Sequence, residues 1–205
     1  SLLSSQDIVH SKLFILASGS EIRKKILSSH GFNFSVKKSG VDEEELKETI
    51  QFLPFEEQVI KLASAKAKEV SKVHPNNYVV GADQMCVCDD TVFNKPGNVQ
   101  NAINNLSFLS GKTHFQYSGI SIFLKEKPLW TFCDIASLKM KNLSKKEIVS
   151  YIHQDEPYES CGSYRYESLG ANLFSEVEGS VYTIQGLAVN PLMKAFKNLG
   201  VSFKQ

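Results

Sequence analysis

The chain is poor in the features that would assign it to several protein classes at once. It has four cysteines in 205 residues, and only Cys86 and Cys88 are close together. That excludes a disulfide framework, and two thiols of Cys-x-Cys spacing without a second cluster read as buried free thiols. No apolar run approaches the roughly 20 residues a membrane helix needs. The longest near the start, Leu13 to Leu16, is too short for a signal-peptide core, so a cytoplasmic protein is expected. Charge is nearly balanced, 23 Lys+Arg against 22 Asp+Glu for a net +1, which removes the electrostatic footprint of a stable nucleic-acid binder. The five histidines have no metal-ligand spacing, and there is no Gly-x-Ser-x-Gly elbow, which disfavours a histidine-based hydrolase.

What is present is ordinary globular material, 42% hydrophobic and 22% charged, with no repeat and no low-complexity linker. Apolar runs alternate with helical patterns, the signature of an α/β protein. Leu13–Leu16 reads as a buried strand, the Ser18-Gly19-Ser20 turn breaks it, and Ile22, Ile26 and Leu27 give helical spacing up to Gly31. Phe32–Lys37 reads as a short strand, Pro54 opens a helix, and Tyr78–Cys88 is strand on both sides of Asp83. Asn98 caps a helix to Leu109. Thr113–Leu124 and Leu129–Met140 form a hairpin over the loop 125–128, and Ser144 to Glu147 is a capping box. Val181–Ile184 is expected to be the last strand, before a closing helix from Asn190-Pro191 to Gly200. A long antiparallel pair among crossover helices implies a mixed sheet. Residues 1–11 are expected to be an extension, and 12–205 a single domain.

Six segments carry candidate chemistry. Ser18-Gly19-Ser20-x-x-Arg23 is a strand-to-helix turn with free N–H groups and an arginine suited to phosphate; taken alone it reads more readily as an ordinary N-cap with surface bases. Asp83 ends an apolar strand, where α/β sites gather, though a lone Asp there is commonly a turn residue. Lys95 precedes a proline turn. The acidic run Asp42 to Glu45 offers hard oxygen ligands or a solvated helix start. Lys66 and Lys68 lie about 200° apart on a helix, so at most one faces a site. Cys161 to Glu167 is a small-residue and aromatic loop that shapes a base pocket or covers core.

In order, these segments resemble the Maf family of nucleoside-triphosphate pyrophosphatases. Leu16-Ala17-Ser18-Gly19-Ser20-x-x-Arg23 is similar to its opening turn, and Val41-Asp42-Glu43 to its acidic motif. Leu62-Ala63-x-x-Lys66-Ala67 is similar to its lysine-bearing helix, and Gly81-Ala82-Asp83 and Lys95-Pro96 to its central motifs. Leu109 to His114, Glu156-Pro157, Cys161 to Tyr164 and Gly186-Leu187 follow in family order. Gln84 and Glu167 resemble the branch that hydrolyses 7-methyl-GTP, whereas the dTTP/UTP branch carries Thr and Gln at those positions. Ile22 departs from that branch, where a Trp is expected.

The resemblance implies a mixed sheet with flanking helices in two lobes around a deep cleft, like inosine triphosphatase, and a possible homodimer. It implies Mg²⁺- or Mn²⁺-dependent cleavage between the α- and β-phosphates. In that picture Asp83 and Glu43 handle water and metal. Lys66, Lys95 and Arg23 neutralise the triphosphate, and Ser18 and Ser20 hold its tail. Ile22, Gln84 and Glu167 meet the base. Competing expectations are a dTTP/UTP enzyme, a nucleotide-binding regulator of septum formation with little turnover, and an RNA-binding module using Tyr164 and Tyr166 for stacking.

Overall fold

The computed structural model describes residues 12–204, so the expected extension, residues 1–11, lies outside the described residues. The elements in order are β1 (Phe14–Leu16), α1 (Glu21–Ser29), β2 (Phe34–Val36), α2 (Glu43–Ile50), α3 (Phe55–Val73), β3 (Val79–Cys88), β4 (Thr91–Phe93), α4 (Val99–Leu109), β5 (Thr113–Leu124), β6 (Lys127–Met140), α5 (Lys145–Asp155), a 3-10 turn (Leu169–Leu173), β7 (Phe174–Glu178), α6 (Val181–Gln185) and α7 (Val189–Asn198). The strands form one seven-stranded sheet in the order β2-β1-β3-β5-β6-β7, with β4 paired to β3. β1 runs parallel to β2 and β3, while β3–β4 and β6–β7 are antiparallel. The sheet is therefore mixed, as the long antiparallel pair among crossover helices implies.

The chain divides into two compact units. One comprises the residues up to 83, 118–134 and 186 onward; the other comprises 84–117 and 135–185.

In the first unit, all three residues of β1 are buried, as expected of a strand covered on both faces. Phe14 is the hub of an aromatic cluster with Phe32, Phe34, Phe196 and Phe203, at ring separations of 5.2 to 5.7 Å. Helix α3 lies against the sheet at two glycines. A Cβ on Gly81 would stand 2.0 Å from the Ala63 carbonyl oxygen, and one on Gly119 would stand 2.5 Å from that of Val59. Small residues on both partners permit this backbone approach.

In the second unit, α4 and α5 cover a core built on Leu106, Leu138, Met140, Ile152 and Phe174. Helix α5 starts at the expected capping box, with Ser144 and Glu147 each satisfying the other's backbone N–H.

Two local expectations are corrected. Val181–Ile184 is not a strand but helix α6. The Ser180 hydroxyl accepts from the Tyr182 N–H, the Ser180 carbonyl accepts from the Ile184 N–H, and Gly179 and Gly186 at positive φ bracket the turn. Local capping overrides the β-branched run. The last strand is β7, four of whose five residues are exposed, so it carries no alternating apolar signal. The β5–β6 loop is also shorter than expected. Lys125 and Glu126 take φ of 52° and 63°, a two-residue turn that matches strand twist, so Lys127 and Pro128 belong to β6.

The Gly81 contact makes a prediction. Gly81→Ala should lower unfolding free energy by about 1–3 kcal/mol through overpacking, read as a lower denaturant midpoint. An unchanged midpoint would show that α3 does not press on β3.

Candidate active site

The turn between β1 and α1 is organised by its own side chains. Ser20 is the N-cap and accepts from the Arg23 N–H at 3.3 Å. Buried Ser18 accepts from the Ser20 N–H at 3.3 Å and from Arg23 Nη1 at 3.1 Å. Arg23 Nε donates to the Gly186 carbonyl at 2.8 Å. The guanidinium is thereby folded back over the turn rather than spread into solvent. The Lys38 stem lies over Gly19, where a Cβ would meet Lys38 Cδ at 3.5 Å. Lys38 was not singled out in the sequence, because it belongs to no motif and is close to the turn only in space.

The acidic run is a capped helix start, with Asp42 accepting from the Glu45 N–H. Its second residue, Glu43, is also a member of an ion-pair group. Lys66 Nζ stands 3.1 Å from Glu43 Oε1 and 3.1 Å from Asp83 Oδ1. The Lys66 and Asp83 side chains are 12% and 11% exposed, that of Glu43 43%. Asp83 Oδ2 is buried without a hydrogen bond. Burial pushes the Asp83 carboxyl above its usual range. The positive charges of Lys66 and Arg23 and the Lys66 hydrogen bond oppose that, and the Glu43 charge reinforces it.

This group can take a proton from water and hold an anion. Asp83 offers an unpartnered oxygen of raised basicity, and Lys66 supplies a fixed positive charge between two carboxylates. Among the described residues no three metal-ligating side chains cluster, so no all-protein cage exists. A hard divalent ion is commonly held by one or two carboxylates plus substrate phosphates. Asp83, through its unpartnered Oδ2, and Glu43 fit that donor set.

The remaining expected residues stand elsewhere. Ile22 is half-buried on α1, and Lys95 is exposed in the loop after β4 with no ion pair or hydrogen bond among the described residues. Gln84 Nε2 donates to Gln116 Oε1 at 2.8 Å and to the Ile184 carbonyl at 2.7 Å. Glu167 accepts from Arg165 Nε at 3.4 Å. Tyr164 is buried, with its ring 4.8 Å from Phe174 and 5.5 Å from His114. It is core and offers no face for stacking a base.

An α/β sheet carrying a serine-arginine turn and a buried Asp83–Lys66 pair joined by the half-exposed Glu43 has the charge pattern of a phosphate-handling protein. The chain belongs to the Maf family: its sequence matches the family described as Maf-like protein over residues 13–199. It is 45% identical over 190 residues to a nucleoside triphosphate pyrophosphatase of Legionella pneumophila, covering 93% of this chain and 95% of that protein. It is 35% identical over 192 residues to a protein of the same name from Nitrobacter hamburgensis, covering 93% and 95%. It is 36% identical over 193 residues to a 7-methyl-GTP pyrophosphatase of Colwellia psychrerythraea, covering 93% and 94%. Among solved structures, the Staphylococcus aureus Ham1 protein aligns over 91% of this chain and 99% of its own at 14% identity. Its TM-score is 0.41, too slight a likeness to bear on fold or activity.

The group predicts a pH profile. A step that needs ionised Asp83 is lost as pH falls through its pKa, so the acid limb of kcat/KM should lie above the usual aspartate value of 3.8. Lys66→Met removes a charge that lowers this pKa, so it should move the limb upward and cut kcat/KM by about 10²–10³. An acid limb left in place would separate Lys66 from Asp83. Asp83→Asn should lose turnover by orders of magnitude while remaining folded. A raised folded-state pKa means protonation favours the fold, so neutralising the position should not lower the melting temperature at neutral pH.

Proposed function

We propose that this chain hydrolyses the α–β phosphoanhydride of a nucleoside triphosphate, with 7-methyl-GTP as preferred substrate, giving the monophosphate and pyrophosphate. At the coarser level the chain is an enzyme, a nucleoside triphosphate pyrophosphatase, by its family and by the names of its relatives. The observation that carries the mechanism is the shared Lys66, 3.1 Å from both Asp83 and Glu43, beside an open Asp83 oxygen.

Asp83 orients the attacking water and accepts its proton as the oxygen bonds to the α-phosphorus and the bond to the bridging oxygen breaks. Pyrophosphate leaves with that electron pair. Lys66, Arg23 and Lys95 hold the negative phosphoryl oxygens, where fixed charge matters most in the transition state. Ser18 and Ser20 donate to the phosphate tail at the start of α1. Glu43 helps Asp83 with water and with the cation. Asp83 and Glu43 would hold a divalent ion, Mg²⁺ or Mn²⁺, which would supply Lewis-acid polarisation and lower the pKa of a bound water.

Glu167 and Gln84 read the base. The Glu167 carboxyl oxygens accept from the guanine N1–H and N2–H donors, whereas uracil and thymine present one donor between two carbonyls. Methylation at N7 makes the guanine ring cationic and strengthens both donors, so an acceptor-lined site favours 7-methyl-GTP. The Colwellia relative named for that substrate supports the reading. Ile22 covers the base by apolar contact in place of an aromatic ring. The same reading has the enzyme work as a homodimer in the cytoplasm. It has no stable nucleic-acid partner, and none of its described helices is long and apolar enough to cross a membrane.

Pyrophosphate release across 7-methyl-GTP, GTP, UTP, dTTP and CTP tests the reading. The expected order places 7-methyl-GTP first, and Glu167→Gln should shift preference away from guanine by about tenfold or more. Preference for UTP or dTTP would overturn the base assignment and keep the chemistry. Release from none of them by the folded protein would favour a nucleotide-binding regulator.

A further inference from the structure

The second unit contains a buried polar relay of which only Gln84 has so far been given a role. Its members are His114 and Gln116 on β5, Tyr164 in the loop after α5, Gln84 on β3 and the Ile184 carbonyl on α6. Gln84 Nε2 lies 2.7 Å from the Ile184 carbonyl and 2.8 Å from Gln116 Oε1. Gln116 Nε2 lies 2.7 Å from the Tyr164 hydroxyl, which lies 2.7 Å from His114 Nε2. His114, Gln116 and Tyr164 are at most 3% exposed.

The direction of every bond in this relay follows from its first member. The Ile184 carbonyl can only accept, so the Gln84 atom beside it is nitrogen. Gln84 then has two hydrogens and gives one to Ile184 and one to Gln116, so Gln116 must present oxygen to it. The Gln116 nitrogen therefore faces Tyr164, whose oxygen accepts. The Tyr164 hydrogen has one partner left, His114 Nε2, which must be unprotonated to receive it. His114 then carries its proton on Nδ1, which is buried without a partner. The opposite tautomer leaves two groups unsatisfied, the Tyr164 hydrogen and the bare Nδ1, instead of one. Burial lowers the His114 pKa to about 4, which keeps the imidazole neutral.

The loop bearing Tyr164 is fixed to serve this geometry. Gly162 takes φ 82°, and a Cβ there would stand 2.9 Å from Cys86 Sγ and 3.0 Å from the Tyr164 ring. Ser163 takes φ 68° and accepts from Asn105 Nδ2 at 2.9 Å. A strained non-glycine residue held in this way marks a loop whose position matters.

We propose that Gln116, Tyr164 and His114 are positioning residues that clamp Gln84 as a one-way hydrogen-bond acceptor, and that this clamp sets the preference for guanine over uracil. Both Gln84 amide hydrogens are committed to the protein, while its Oε1 has no hydrogen-bond partner among the described residues. Gln84 can therefore offer a base only a carbonyl. A guanine donor is satisfied by it; a uracil carbonyl is repelled. This deepens the substrate reading above and rests on it, and it assigns a role to three residues outside the nucleotide-contacting set.

The test is the ratio of kcat/KM for GTP to that for UTP. Gln116→Leu frees one Gln84 hydrogen and should reduce the ratio by about tenfold, through the guanine nucleotide, with UTP turnover within twofold. Gln116→Glu, protonated when buried, keeps a donor toward Tyr164 and an acceptor toward Gln84, so it should restore most of the ratio. If Gln116→Leu fails to fold, Tyr164→Phe removes the next anchor and should lower the ratio in the same direction. A merely structural role would lower both substrates together, with the glutamate no better than the leucine, and that result would overturn the proposal. In the wild-type protein, long-range ¹H–¹⁵N correlation should find His114 as the Nδ1–H tautomer, assigned by its loss in His114→Asn. The Nε2–H tautomer would also overturn it. A ratio unmoved by Gln116→Leu but shifted by Glu167→Gln would sink this inference and leave the substrate reading standing. A wild-type preference for UTP would sink both.

Discussion

The close approach of α3 to β3 is the constraint on which the chemistry depends. Gly81 has no side chain, so the Ala63 carbonyl occupies the space where a Cβ would be. Asp83 follows Gly81 by two residues and so shares its face of the strand. Lys66 follows Ala63 by three and so lies one turn along the same face of the helix. The backbone contact thus delivers Lys66 Nζ to Asp83 Oδ1 without a long reach from either side chain. A bulkier residue at 81 would lift the helix and part the pair. A buried ion pair is weak evidence for stability, because desolvation offsets much of the attraction. The proposed role in catalysis accounts for its presence here, with one buried carboxylate oxygen left without a hydrogen bond among the described residues.

Electrostatics in the chain follows two different logics. Around Asp83, opposed effects are balanced: burial raises the carboxyl pKa, and Lys66 and Arg23 lower it. The net direction is upward, so the carboxylate is a stronger base than a solvated aspartate. Around Gln84 no charge is used. Burial keeps His114 neutral and holds Tyr164 far from ionisation, so the proposed clamp on Gln84 works through the direction of hydrogen bonds rather than through charge.

Much of this was legible in the sequence. The strand at Leu13–Leu16, the cap at Ser144 and the helix opened beside Pro54 each carry a local signal of period, cap or breaker, and each is present. Asp83, Lys66 and Glu43 stand 17 or more residues apart, and only their family order brought them together before the fold did. What stayed hidden was hidden for physical reasons. β7 is exposed along most of its length, so hydrophobic alternation could not reveal it. Val181 to Ile184 has strand-like composition but is turned into a helix by Ser180 and its flanking glycines. His114 showed no ligand spacing, because its partner Tyr164 is fifty residues away. Lys38 approaches Gly19 only through the fold.

The central claim is that water, activated at Asp83, attacks the α-phosphorus. Hydrolysis of the preferred nucleotide in H₂¹⁸O, with both products analysed by mass spectrometry, tests it directly. The account predicts one ¹⁸O in the nucleoside monophosphate and none in the pyrophosphate, with incorporation abolished in Asp83→Asn. Label in the pyrophosphate, or release of orthophosphate instead, would contradict it.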